Sequence, residues 1–267
     1  MDILDSFLTS KDDSEHLILH QNCFDVLSSL PDNSIDLVLT DPPYGINYKL
    51  NISKKKRFSE IINDSPDDID WDKLLSECYR VLKPKKTMYI FGRTDVFMRL
   101  APCIVNSSFR YCHDFLWLKG DMASGNINVF GQTHEIIVCL SKGSPEKSRI
   151  VVIDGEEKKR SKASYYGKVS KKEYYGHPTQ KPVGLLSYII SNRTDKHDVV
   201  FDPFNGSGST CLAASIMNRR SLGSELSQEY YDISQSRIHD IDHREMYENA
   251  IADGYITRNG SVTIKKL

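Results

Sequence analysis

The segment Ile35-Asp36-Leu37-Val38-Leu39-Thr40-Asp41-Pro42-Pro43-Tyr44 decides how the rest of the chain is read. A short apolar strand runs into two consecutive prolines, and a polar, lysine-rich stretch follows. Asp41 to Tyr44 therefore stand at the carboxyl end of a strand, where open α/β sheets gather their ligand-binding groups. Each proline fixes its own φ and restricts the residue before it, so the Asp41 carboxylate, the Pro42 carbonyl and the Tyr44 ring are held as one unit. Such a unit suits a flat polar ring: carboxylate and carbonyl accept from an exocyclic amino group while the tyrosine stacks on the face. Taken alone, Asp-Pro-Pro-Tyr reads equally well as a strand ending with Tyr44 over the core.

Immediately upstream, His16–His20 reads as a strand and Phe24–Leu30 as a short helix closed by Pro31-Asp32-Asn33. Together with the quoted strand they form a βαβ opening, with Asn22-Cys23 in its first turn. Downstream, Gly45–Pro66 is polar and centred on Lys54-Lys55-Lys56-Arg57, either a solvated face or a clamp on phosphates. Asp70–Leu82 has apolar residues at helical spacing with Asp70 as N-cap and Pro84 as the stop. The strand Thr87–Phe91, a helix Asp95–Asn106 and two strand candidates, Phe109–Leu118 and His134–Leu140, follow. His134-Glu135 lacks the HExxH spacing, so no metal site is expected.

Between Lys142 and Gly176 ten basic residues face five acidic ones, interleaved with Tyr165-Tyr166 and Tyr174-Tyr175. That local composition fits a nucleic-acid contact, although the whole chain of 267 residues carries a net charge of only −1. His177-Pro178-Thr179-Gln180-Lys181-Pro182 then leads into a helix, Val183–Asn192. Further on, Val199–Asp202 reads as a strand running through Pro203-Phe204-Asn205-Gly206-Ser207-Gly208 into a helix, Thr210–Asn218. Glycines at such a turn let the backbone approach a ligand closely. The missing Gly-Lys-[Ser/Thr] argues against a P-loop, and Cys211 breaks the dinucleotide fingerprint, which disfavours a nicotinamide dehydrogenase. Glu225 ends the next strand, Ser221–Ser224, ahead of a helix containing Gln228–Arg237. A carboxylate there is placed to accept from ribose hydroxyls. Arg244–Asp253 reads as a helix, and Asn259-Gly260 between alternating runs as a tight hairpin.

The chain is long enough for one substantial core. Six cysteines without a CxxC pair read as reduced thiols of a cytoplasmic protein. The acidic N-terminus lacks a signal peptide or membrane span, so export and membrane attachment are not expected.

In their joint order, DPPY, the basic interval, HPTQKP, DPFNGSG and Glu225 resemble the β group of DNA amino-methyltransferases, across roughly Leu17 to Arg237. The resemblance implies a doubly wound, mostly parallel α/β sheet of Rossmann-like, class I methyltransferase type, with an antiparallel edge hairpin and a small DNA-recognition insertion. Read with the chain length, it gives one domain over 1–267: a catalytic half 16–141, a target-recognition insertion 142–176 and a cofactor-binding half 177–239, with the C-terminal helix and hairpin read from the residues over 240–267. The cofactor implied is S-adenosylmethionine. Asp41, Pro42, Pro43 and Tyr44 would be catalytic. Asn22 and Cys23 would meet the cofactor's adenine, Glu225 its ribose, Asp202 its amino group and Lys181 its carboxylate; Asp41, Phe204, Gly206, Ser207 and Gly208 complete the cofactor contacts. Asn22 stands where the family usually has Asp, Ser209 where Thr is common, and Lys85-Lys86 where it has Gly-Gly. The implied activity is methylation of N6 of a flipped-out adenine in double-stranded DNA, with N4 of cytosine and a catalytically idle DNA-binding subunit as alternatives. A homodimer and a cognate restriction enzyme are the further partners the family suggests.

Overall fold

The computed structural model describes residues 3–10, 12, 15–45, 65, 68–119, 131–147, 151–153, 156–158, 162–167, 179–239 and 263–264. The lysine run 54–57, the tyrosine pair 174–175, His177-Pro178 and the expected helix 244–253 lie outside them. So do the Asn259-Gly260 turn and the first arm of the hairpin.

In chain order the elements are α1 (Ile3–Thr9), β1 (His16–Leu19), α2 (Cys23–Ser29), β2 (Ile35–Thr40), α3 (Trp71–Val81) and β3 (Leu82–Gly92). They continue with α4 (Thr94–Asn106), β4 (Arg110–Leu118), β5 (His134–Ser141), β6 (Val151–Ile153), β7 (Glu156–Lys158) and β8 (Ser164–Tyr166). The last are α5 (Val183–Arg193), β9 (Val199–Asp202), α6 (Ser209–Ile216), β10 (Arg220–Ser224), α7 (Gln228–His239) and β11 (Thr263–Ile264). Among the described residues no helix is long and apolar enough to cross a membrane.

The main sheet has the order β1-β10-β9-β2-β3-β5-β4-β8. β1, β10, β9, β2 and β3 run parallel, and β5 pairs antiparallel with both β3 and β4. The expected edge hairpin is thus β4–β5, but β8 from the basic interval adds one more, parallel strand outside it. β2 and β9 lie side by side, as expected. From β2 the chain steps to β3 on one side, and from β9 to β10 on the other. The loops after β2 and β9 therefore diverge and leave a crevice between them, the switch point of an open α/β sheet.

Both faces of the sheet are covered. α5 and α6 pack on Leu37, Leu39, Phe91, Ile137 and Val200. α1, α2 and α3 cover Val38, Met88, Ile90, Val199 and Phe201. Every residue of β2 is consequently buried, which is why the strand reads as a continuous apolar run rather than an alternating one. Asp36 survives there because Lys83 Nζ donates to both of its oxygens at 2.9 and 2.8 Å.

Several boundaries differ from the sequence expectation for physical reasons. β3 begins at Leu82, straight from α3, because Leu82 already pairs with Ile35, and the extra residues before the next pair, Leu37 with Thr87, bulge out of β3. Lys85, where the family has glycine, adopts a left-handed φ of 69°. It is held there by backbone bonds to Lys142 and Glu146. α1, which the sequence did not suggest, is anchored by Arg220, whose Nη1 donates to the carbonyls of Phe7 and Ser10 at 2.8 Å. β11 runs parallel to β6 in a small sheet with β7, so Thr263 and Ile264 sit beside a strand of the basic interval.

Candidate active site

The crevice is a cleft lined from the first half of the chain by Asn22, Cys23, Asp41, Pro42, Pro43 and Tyr44, with Phe91 beside them. From the second half come Lys181, Asp202, Phe204, Gly206, Ser207 and Glu225. The fold thus converges nearly every site residue named from the sequence. Gly208 lies between the lining residues Ser207 and Ser209 without itself facing the cleft. With φ of 80° it turns the backbone into α6, and a Cβ there would sit 2.9 Å from Ser234 Cβ on α7. Its role is a close approach between backbone and helix.

The glycine loop is fixed from three directions. Gly206 N–H donates to Glu225 Oε2 at 2.7 Å, and Ser227 N–H donates to Glu225 Oε1 at 2.8 Å. Asn205 N–H donates to Ser224 O at 2.9 Å, and its side chain lies so near β10 that a Cβ on Gly223 would come within 2.7 Å of Asn205 Cγ. Arg237, wholly buried on α7, donates through Nη1 to Ser207 O at 2.6 Å and to the hydroxyls of Ser207 and Ser209 at 3.0 and 3.1 Å. Sequence reading passed over Arg237, because a single arginine near a helix end carries no signal of burial.

Asp202 is buried at the end of β9 and accepts from Phe204 N–H at 3.1 Å. Burial pushes its carboxyl up to about 7, outweighing the stabilising hydroxyl of Thr210. Glu225 is also raised by burial, opposed by the amides it accepts from. Across the cleft, the Asn22 side-chain oxygen caps α2 by accepting from Phe24 N–H at 2.9 Å, and Cys23 is buried with its thiol pushed up to about 12 by desolvation.

The DPPY loop is equally constrained. Tyr44 Oη donates to Asp41 Oδ1 at 2.8 Å, and Arg99 on α4 donates to the Tyr44 carbonyl at 2.7 Å. Asp41 Oδ2 accepts from Lys181 Nζ. The buried Lys181 ammonium lies against the Asp41 carboxylate, 3.5 Å from Glu135 Oε2 and over the rings of Phe91 and Tyr44 at 5.3 and 5.7 Å. Burial raises the Asp41 carboxyl, and Lys181 works against that shift. Burial and the neighbouring carboxylates of Asp41 and Glu135 hold the Tyr44 phenol well above its ordinary value.

Glu135 and Lys119, which the sequence did not single out, extend this charge cluster behind Lys181. They meet because β4 and β5 pair antiparallel, with Leu118 opposite His134 and Trp117 opposite Glu135. Lys119 Nζ then reaches Glu135 Oε1, and the two lysines keep the Glu135 carboxyl below its usual range despite burial. Opposite charges on two strands expected to form a hairpin were the available signal.

Residues 35–236 match the sequence profile of the N6/N4 DNA methylase family. The chain is 29% identical over 248 residues to the Type II methyltransferase M2.MboI of Moraxella bovis, covering 86% of this chain and 90% of the relative. Among solved structures, the M1.HpyAVI–SAM complex superposes with a TM-score of 0.62 at 22% identity, over 84% of this chain and 99% of the other. The cytosine-N4-specific PvuII DNA methyltransferase does so with a TM-score of 0.67 at 20% identity, over 95% of this chain and 98% of the other. The two structural likenesses are of fold.

Proposed function

The chain belongs to the S-adenosylmethionine-dependent N6/N4 DNA methylase family, and from that premise we propose that it methylates N6 of an adenine flipped out of duplex DNA. The observation that carries this reading is Asp41 at the head of DPPY, its carboxylate oriented by Tyr44 at 2.8 Å and about one-fifth exposed toward the cleft. Aspartate at this position is the form associated with adenine in the family, as serine is with cytosine.

The residues across the cleft fit the cofactor. A buried Asp202 carboxyl poised at about 7 is stabilised by a cation such as an amino acid ammonium. Glu225, already oriented by two backbone amides, retains lone pairs for ribose hydroxyls. Gly206 and Ser207 bring backbone to the cleft wall, and Asn22 with Cys23 borders the opposite end. When bound, S-adenosylmethionine supplies a methyl group on a sulfonium; its transfer breaks the C–S bond, leaves the electron pair on sulfur and forms an N–C bond, with one proton released from nitrogen.

The chain's own contribution is orientation and electrostatics. The amino nitrogen of adenine is a weak nucleophile because its lone pair is delocalised into the ring. Hydrogen bonds from that amino group to the Asp41 carboxylate and Pro42 carbonyl favour a pyramidal nitrogen aimed at the methyl group. Tyr44 offers a ring face for the extruded base, whose unstacking costs about a few kcal/mol. The basic, tyrosine-bearing interval 142–176 is the proposed DNA contact. The family further suggests a homodimer and a cognate restriction enzyme, to be tested by sedimentation and by the neighbouring genes.

Incubation with methyl-labelled S-adenosylmethionine and unmethylated genomic DNA, followed by digestion and mass spectrometry of the nucleosides, tests the reading. Label in N6-methyladenine is expected. Label in N4-methylcytosine would keep the chemistry and overturn the base. Cofactor binding without label would identify an idle binding subunit.

A further inference from the structure

The catalytic carboxylate has both oxygens engaged within the chain: Tyr44 donates to Oδ1 and Lys181 to Oδ2. Each oxygen keeps a lone pair for an incoming amino group, but a carboxylate already bonded to an ammonium is a weaker acceptor, so the substrate's hydrogen bond strengthens when that donor withdraws. Tyr44 is tied into the rigid DPPY loop, and Arg99 holds its carbonyl at 2.7 Å, so its ring has little freedom to leave Asp41. Lys181 does have an alternative. Glu135 Oε2 is buried, accepts no hydrogen bond among the described residues, and faces the ammonium at 3.5 Å. The other oxygen of Glu135 is secured by Lys119, which lies 4.8 Å from the Trp117 ring centroid.

We propose that Lys181 is an exchangeable placeholder that passes from Asp41 to Glu135 when the substrate amino group docks, making Glu135 and Lys119 positioning residues for the methyl acceptor. This rests on the function proposed above. The physical case is charge balance. Asp41, Glu135, Lys119 and Lys181 form two cations and two anions in a largely desolvated site, so the exchange moves no net charge and no proton. A buried ammonium stripped of its carboxylate is strongly disfavoured. Moving toward an adjacent acceptor keeps one charge-assisted hydrogen bond throughout. The Asp41 side chain is 20% exposed and that of Lys181 only 6%, so substrate arrives at the carboxylate from the open side while the lysine withdraws inward. Without substrate, Lys181 prevents a bare buried carboxylate.

The test is a double-variant cycle on the full chain, using the base that the wild type labels. Single-turnover rates, followed long enough to read a thousandfold loss, are compared for wild type, Glu135→Gln, Lys181→Met and the pair. We expect Glu135→Gln to slow transfer at least tenfold with S-adenosylmethionine affinity unchanged within about twofold. In the Lys181→Met background the same change should cost no more than about threefold. Equal losses in both backgrounds would reduce Glu135 to a structural role and overturn the exchange. If Glu135→Gln fails to fold, Glu135→Asp carries the same comparison, since it keeps the charge and withdraws it by one methylene. Label on cytosine overturns only the choice of base, and the cycle is then read on that base. No label from the wild type overturns the proposed function and this inference together.

Discussion

Gly206 N–H donates to Glu225 Oε2 at 2.7 Å, so the glycine turn after β9 and the carboxylate after β10 fix each other. A second bond, from Ser227 N–H at 2.8 Å, occupies Oε1. This side chain is at once a structural tie and the proposed ribose acceptor.

Glu225→Ala leaves two partly buried amides without their acceptor, a loss of about 1–3 kcal/mol for each group that stays unpaired. Glu225→Gln keeps one acceptor oxygen and should lie between Ala and wild type in both melting temperature and cofactor affinity. Calorimetry and thermal denaturation read the two. An alanine variant matching wild type in both would remove Glu225 from the site.

The Asp202 carboxyl, held at about 7 by burial, gives cofactor binding a pH dependence of definite sign. A bound ammonium lowers that value, so binding releases a proton below pH 7 and weakens as pH falls. From pH 7 to pH 6 the dissociation constant should rise about fivefold, in a window where the ligand's own amino group is largely protonated. Isothermal calorimetry in buffers of different ionisation enthalpy counts the released proton. A flat affinity with no proton release would remove Asp202 from the ammonium. The same shift acts on folding with opposite consequence. The folded chain binds more protons at Asp202 than the unfolded chain between its ordinary carboxylate range and 7, so this group's contribution to stability falls as pH rises through that window. Asp202→Asn should therefore melt higher than the ligand-free wild type at pH 8 while losing cofactor affinity.

Asp41→Asn keeps the shape and removes the charge that orients the acceptor nitrogen. Transfer should fall by about 10²–10³, the range for loss of a preorganised electrostatic contact, with cofactor affinity within about threefold. Tyr44→Phe removes only the hydroxyl on Asp41 and should cost about tenfold. Tyr44→Ala also removes the stacking surface, for a further loss of about 1–3 kcal/mol in base positioning. Equal rates for the two Tyr44 variants would argue against stacking.

Lys85 carries a left-handed φ of 69° on an exposed side chain. Lys85→Gly should stabilise the fold by about 1 kcal/mol, raising the melting temperature by about 2–4 °C. Turnover should be unchanged, since Lys85 lies at the start of the sheet's parallel strands, away from the cleft. A lower melting temperature would show that the flexibility glycine adds to the unfolded chain outweighs the relieved strain.

The sequence by itself determined the architecture and most of the site's membership. β2 and β9 are largely apolar runs closed by Asp-Pro, β10 ends at Glu225, and both hydrophobic pattern and turn chemistry are local properties of the chain. Asp41, Asp202, Glu225 and the glycine loop stand at strand ends, so naming the strands named the cleft. Tertiary structure alone decided who pairs with whom. Lys181 reaches Asp41 across 140 positions, and its proximity to Glu135 depends on how β5 docks against β3. Arg237 clamps the glycine loop from α7, and Gly208 serves a helix contact. These are choices among buried charges and close approaches, set by the three-dimensional packing of distant elements, and no local spacing encodes them.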